Sequence, residues 1–302
     1  MPMKRIVLLI LIMISSLVVV KAQIDPLYAQ YICNPLVINP AYTGLNNNFT
    51  ASVSVRKQWA GYDGNPTTLN ASAHTSFFKQ KMGFGFMAIQ DNIGSSKNTE
   101  ANLTYAYKID FSQHRLSFGM QGGFVNYRSN SDNLTINDPN SWQSDQNISK
   151  LNLGAGLILS SERYFIGISS PRLLPETVSI GQSIMSIYKQ HLYGMAAYVF
   201  MLSERVKLKP SALVKEVQGA PVSVDFNTSV IIDEKYTGGL FTRNLNTYGV
   251  LLQARMEQGY RFSYIFEVPS NRSVGMRYPT HEVCLGLSLS LLKSHHSSIS
   301  NF

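Results

Sequence analysis

The chain has 302 residues, room for one large domain or two small ones, and only 15% of them are charged, well under the roughly 25% of an ordinary soluble domain. The formal charge is +8, and Lys4, Arg5 and Lys21 near the start account for part of it, leaving about +5 spread evenly. No basic run exists, so the sequence offers nothing to nucleic acid. Mean hydropathy is close to zero, the balance of a membrane β-barrel, whose apolar and polar residues alternate and cancel, and almost equally that of a soluble all-β protein.

Lys4 and Arg5 precede an apolar run over residues 6–20, and Ala22 supplies a small residue before Gln23. This is a signal-peptide pattern with a cut expected between Ala22 and Gln23; the other reading, a membrane anchor, has to make do with a short apolar run. No later segment has the uninterrupted apolar length of a membrane helix. A membrane location for the mature chain therefore requires a closed barrel. Residues 23–48, rich in Asn, Pro and Tyr, keep no period. They read as an irregular N-terminal segment, either a plug or a periplasmic piece.

Alternation begins at residue 49. Ala51, Val53, Val55 and Trp59 share one face, and Ser52, Ser54, Arg56 and Gln58 share the other. The pattern returns at 102–111, 115–124, 222–230, 260–267 and 282–291, and weaker members bring the count to about fourteen strands. The fold class expected is an all-β, up-and-down antiparallel transmembrane barrel over residues 49–292, followed by a polar tail, 293–302. Pro210 lies inside an alternating segment, where it removes a ladder donor, and a bulge is expected there.

Connections alternate as well. Short charged turns fall at 79–81, 112–114, 161–163, 203–205, 233–235 and 257–259; longer polar ones fall at 61–66, 93–98, 128–150, 170–189 and 269–279. Short turns at one rim and long loops at the other are the habit of outer-membrane barrels. Phe77, Phe78, Phe84, Phe111, Tyr164, Phe165, Phe200, Tyr236 and Tyr260 crowd beside the short turns as an interfacial girdle would. A soluble β-sandwich or jelly roll has no need of rings at one end. In this register the lumen receives Arg56, Gln58, Lys108, Asp110, Gln121, Lys207, Lys209, Asp225, Gln253, Arg255, Arg261 and Glu267. Such an interior is wet or filled by the chain's own segments, not an apolar ligand pocket.

Chemistry finds little support. His74 and Ser76 have the alternation a barrel phospholipase would use, but any pair two apart on a strand has it. His295 and His296 sit in a Ser-rich tail. No His/Cys/Asp/Glu cluster has metal-ligand spacing, and Gly83-Phe84-Gly85-Phe86 is strand alternation with glycines on the inner face, not a phosphate loop. Neither enzymatic activity, nor a metal, nor a cofactor is expected. Cys33 and Cys284 could pair in an exported protein, but two cysteines make no disulfide framework.

Asn34-Pro35, Asn39-Pro40-Ala41-Tyr42 with Gly44, then Arg56, Gln58-Trp59, Gly61, Gly64 and Pro66, then Asp91 and Gly94, and finally Thr280-His281-Glu282 stand in one order. Together they resemble the PorP/SprF family of outer-membrane proteins, across nearly the whole mature chain, with the middle strands similar only in pattern. The Asn-Pro pairs also have a purely physical reading, since each fixes a turn. Arg56 and Gln58, pointing inward, are expected to help hold the N-terminal segment. These motif residues are expected chiefly to build the barrel and its plug. The resemblance implies an accessory of type IX secretion, and of gliding where that occurs. Its implied partners are a secreted surface protein with a C-terminal sorting domain, the secretion or gliding machinery and outer-membrane lipid. Segments 128–150 and 170–189 are long enough to meet such a partner. A general diffusion porin or small-solute channel is the other reading.

Overall fold

The computed structural model describes residues 29–129, 146–180, 183–270 and 276–290. The signal segment, its cut after Ala22, the tail 293–302 and the middle of the 128–150 loop lie outside the described residues. Strands occupy β1 (Phe49–Lys57), β2 (Thr67–Phe77), β3 (Met82–Ile93), β4 (Ser96–Phe111), β5 (His114–Ser129), β6 (Gln146–Ser160) and β7 (Tyr164–Arg172). After these come β8 (Glu176–Ile180), β9 (Ser183–Tyr188), β10 (His191–Tyr198), β11 (Phe200–Met201) and β12 (Val206–Val217). The last five are β13 (Ser223–Ile232), β14 (Tyr236–Arg243), β15 (Thr247–Arg255), β16 (Tyr260–Pro269) and β17 (Thr280–Leu289).

Each barrel strand pairs antiparallel with its neighbours in the sequence, β10 pairs with β12, and β1 pairs with β17 from Phe49↔Leu289 to Lys57↔His281. These pairings close a cylinder of fourteen strands. Closure leaves no unpaired edge in the hydrocarbon layer, which is what lets a sheet span a membrane. The strands β8 and β9 form a separate two-stranded hairpin between β7 and β10. No helix among the described residues is long and apolar enough to cross a membrane.

The two faces follow the sequence alternation. Along β1, Ser52, Ser54 and Arg56 are buried while Val53 and Val55 are exposed. Leu103, Met120, Phe226 and Leu285 likewise stand on the outer, lipid-facing wall. The aromatic ring beside the short turns is real at Phe77, Phe78, Phe84, Phe111, Phe200, Tyr236 and Tyr260, all exposed. Phe165 departs from that expectation. It points inward, 2% exposed, with its ring 6.3 Å from that of Tyr42.

Pro210 causes no bulge. It keeps register with Thr228 on β13, and on the other side Ala197↔Ser211 and Phe200↔Leu208 lie on one continuous register. The ladder lapses beside the proline, and the amide of Val199 donates instead to the Arg163 carbonyl at 2.8 Å. The 93–98 connection is also shorter than expected. Strands β3 and β4 pair up to Ile93↔Ser96, so the chain turns within two residues. Segment 170–189 is largely strand and hairpin, not irregular loop.

Candidate functional site

The candidate site is the lumen, which residues 29–46 occupy. Three short 3₁₀ turns, Gln30–Ile32, Pro35–Val37 and Pro40–Tyr42, carry the chain there. The two Asn-Pro pairs set this path. A residue before proline is kept out of the helical region: Asn39 (φ −141°, ψ 110°) is extended and Asn34 (φ −142°, ψ 84°) lies outside the helical region, while each proline opens the next turn. Asn39 caps its own turn by accepting from the Ala41 amide at 2.9 Å.

The wall receives this segment through glycines. A Cβ added to Gly119 on β5 would lie 2.0 Å from the Ala41 nitrogen, and one on Gly83 of β3 would lie 2.1 Å from the Thr43 carbonyl oxygen. A Cβ on Gly156 of β6 would lie 2.1 Å from Asn39 Oδ1. At Gly119 and Gly83 backbone thus rests directly on backbone, and at Gly156 the wall backbone receives the Asn39 side chain. Gly44, at φ +64°, is needed for its left-handed conformation, and its own Cβ would strike the Thr75 carbonyl.

Polar contacts then fix the register. Asn34 Nδ2 donates to Ser52 Oγ at 3.0 Å and to Ser72 Oγ at 2.9 Å. Asn39 Nδ2 donates to the Leu157 carbonyl at 3.2 Å. Ser117 and Ser169 hydroxyls donate to the Ala41 and Ile38 carbonyls, each at 2.7 Å. The Gly44 amide donates to His74 Nδ1 at 3.0 Å, and Lys108 Nζ donates to the Gly44 carbonyl. Buried backbone groups of a non-strand segment must find partners, and here the inward-facing side chains of the barrel supply them.

Around these bonds lies apolar packing that the alternation did not announce. Leu36, Val37, Ile38, Tyr42 and Leu45 pack with inward-facing Met87, Ile89, Ile158, Phe165, Met195, Leu213, Phe241, Leu251 and Ile265. The interior is filled by the chain's own segment, as one arm of the expectation had it, but a large part of the filling is apolar.

Among the described residues, two buried charge networks stand against the wall. Arg56 reaches Glu267 at 2.7 and 3.2 Å and Glu282 at 3.4 Å; Arg243 bridges Glu267 at 3.5 Å and Asp225 at 3.0 Å. Tyr31 donates to Asp225 at 3.3 Å, which ties the N-terminal segment to this chain of charges. Arg56 therefore holds the segment only through intermediates, not by direct contact. In the second network Arg172 pairs with Glu100 at 2.9 Å, and Asn102 and Asn152 also donate to Glu100. Neither Arg243 nor Glu100 nor Arg172 was picked out by motif. Strand parity sets Arg243 on the same face as Phe241, but a phenylalanine reads as lipid-facing, and only its burial shows that this face is the inner one.

The remaining motif residues sit at the long-loop rim. The Gln58 amide donates to the Pro66 carbonyl at 2.9 Å, and the Ala60 amide to that of Pro279 at 2.8 Å. Gly61 and Gly64 take positive φ in this loop, and Gly94 does so in the β3–β4 turn. The rings of Trp59, Tyr62 and Tyr278 meet edge to face at 6.5 and 5.6 Å. Asp91 accepts from Thr68, His281 Nδ1 meets the Tyr264 hydroxyl at 2.7 Å, and the Trp59 amide donates to Thr280 Oγ1 at 3.4 Å. Asp110 and Lys207, placed in the lumen by parity, lie instead at the short-turn rim, paired with Arg115 and Glu234.

His74 and Ser76 face the lumen, 2% and 7% exposed, far from any lipid substrate. Among the described residues no group of three His, Cys, Asp or Glu side chains is arranged to hold a metal. Cys33 and Cys284 are free thiols, both buried.

A family model described as type IX secretion system membrane protein PorP/SprF matches residues 20–287. No curated protein sequence matches the chain. Among solved structures, the ΔS2S3 variant of TodX, a monoaromatic hydrocarbon channel, is similar with TM-score 0.51 at 10% identity, covering 85% of this chain and 94% of its own. A Pseudomonas aeruginosa FadL homologue gives TM-score 0.50 at 10% identity, covering 84% and 93%. Identities this low speak to the barrel fold alone.

Proposed function

Because the chain belongs to the PorP/SprF family of type IX secretion system membrane proteins, we propose that it is a non-enzymatic anchor of that system. In this reading it is exported with cleavage after Ala22, sits in the outer membrane, and binds or retains a secreted surface protein, as in gliding. Fold and family both point to the outer membrane. The observation that carries the anchoring reading is the seating of residues 29–46 on the glycines of β3, β5 and β6. A lumen filled this tightly favours a role as a platform over one as a conduit, and it weighs against the diffusion-channel reading.

A platform must meet its partner outside the lumen. The long-loop rim offers the β8–β9 hairpin and the 128–150 connection, which are the proposed contact elements for cargo. A sorting domain is itself a folded object, so its recognition needs surface of this extent and not a pore. The proposed roles of Asn34, Pro35, Asn39, Pro40, Ala41, Tyr42 and Gly44 are in seating the plug. Arg56 and Glu282 serve the wall, and Gln58, Trp59, Gly61, Gly64, Pro66, Thr280 and His281 shape the rim above it.

The test is the surface and secreted proteome of a clean deletion strain against its parent. Loss of one or a few large surface proteins while total export persists is the expected result. An unchanged proteome with reduced solute uptake would replace this reading with the channel.

A further inference from the structure

The two cysteines of the mature chain converge on one point of the lumen. Cys33, at the end of the first 3₁₀ turn, is 2% exposed, and so is Cys284, which faces inward from β17. The thiol of Cys33 lies in hydrogen-bonding reach of the Ser263 side chain. Ser263 on β16 is the direct cross-strand partner of Cys284, and side chains so paired have Cβ atoms only about 4.5–5.5 Å apart. On the other flank, Ser54 of β1 is also the direct partner of Cys284. Asn34, the next residue after Cys33, is bonded to Ser52 two positions along β1. Ser263 thus brings Cys33 beside Cys284, and Asn34 ties the next residue of the segment to the other flanking strand.

The structure shows the reduced form; we infer that in the exported protein Cys33 and Cys284 are oxidised to a disulfide that pins the N-terminal segment to the last strand of the barrel. Each thiol gives up its proton, one sulfur–sulfur bond forms, and the two electrons pass to the disulfide of a periplasmic dithiol oxidoreductase, which leaves as the dithiol. The exchange takes place before the segment is fully seated, because both sulfurs are then inaccessible. The bond has a particular mechanical meaning. Residue 33 precedes β1 and residue 284 lies on β17, so the link runs across the seam where the first and last strands close the cylinder. It resists both withdrawal of the segment and parting of that seam. Nothing in this inference depends on which protein, if any, the barrel retains.

The experiment uses the full-length protein in outer membranes, acid-quenched and denatured in detergent without reductant. A maleimide polyethylene glycol counts free thiols on a gel before and after reduction, and unreduced tryptic digests are analysed by mass spectrometry. The expected result is no label before reduction, two labels after it, and one species joining the peptides that carry Cys33 and Cys284. The single variants Cys33→Ser and Cys284→Ser should each take one label without reduction. Two labels on the unreduced wild type, or a disulfide joining either cysteine to another molecule, would overturn the inference.

Discussion

Side chains that are absent matter here as much as those present. Gly119 lies against the Ala41 backbone, and backbone cannot swing aside as a flexible side chain can. Gly119→Ala is therefore expected to cost at least about 1–3 kcal/mol, the range for overpacking, and to unseat residues 29–46. Limited chymotrypsin digestion in detergent, cutting at Tyr31 or Tyr42, should then release the N-terminal segment from the variant and spare it in the wild type. The same logic ranks the ion pairs. Arg56 is 4% exposed and faces two carboxylates, so Arg56→Ala strands buried charge and should cost about 3–5 kcal/mol. Arg205 pairs with Asp233 at 2.6 Å, a hydrogen bond that holds the Asp233 carboxyl below its ordinary range, but on an exposed turn. Arg205→Ala should leave the heat-modifiable mobility shift where it is, whereas Arg56→Ala should lower its midpoint by many degrees. Arg56 was legible as a motif residue, but its partners were not, because Glu267 and Glu282 become its neighbours only when strands 211 and 226 residues away fold beside it.

At the scale of elements, the strands were legible because a lipid-facing wall enforces a period of two. Asn102, Thr104 and Lys108 had to alternate with Leu103, Tyr105 and Ile109 wherever the sheet crosses the membrane. Turn chemistry was legible for a similar reason. Asp233 and Glu234, both at positive φ, open a three-residue hairpin loop in which the Lys235 amide donates to the Ile232 carbonyl at 3.0 Å. The inward face obeys no such rule where the plug covers it, so Phe165, Ile265 and Leu251 could not be told from lipid-facing residues by hydrophobicity. The β8–β9 hairpin was hidden as well, since a hairpin that is not part of the cylinder needs no lipid-facing stripe. Its strands belong to no part of the cylinder. Replacing residues 174–189 by a short Gly/Ser linker should leave the barrel heat-modifiable and correctly inserted. Retention of the surface cargo, scored by whole-cell immunoblot, should fall severalfold. Full retention would remove the hairpin from the proposed contact surface.

At the scale of the molecule, fourteen strands enclose a lumen, and the described residues leave it packed with side chains and backbone. Eighteen residues that run together in sequence, 29–46, are all buried. Family membership assigns the barrel to type IX secretion, and the packing explains how a barrel can serve secretion without being the hole. Whether residues 29–46 close the lumen is read most directly from conductance across a planar lipid bilayer, comparing wild type with a variant lacking those residues. The wild type should insert without steady ion current and the shortened variant should conduct in discrete steps. Steady conductance by the wild type, equal to that of the shortened variant, would contradict the plugged platform and leave a channel in its place.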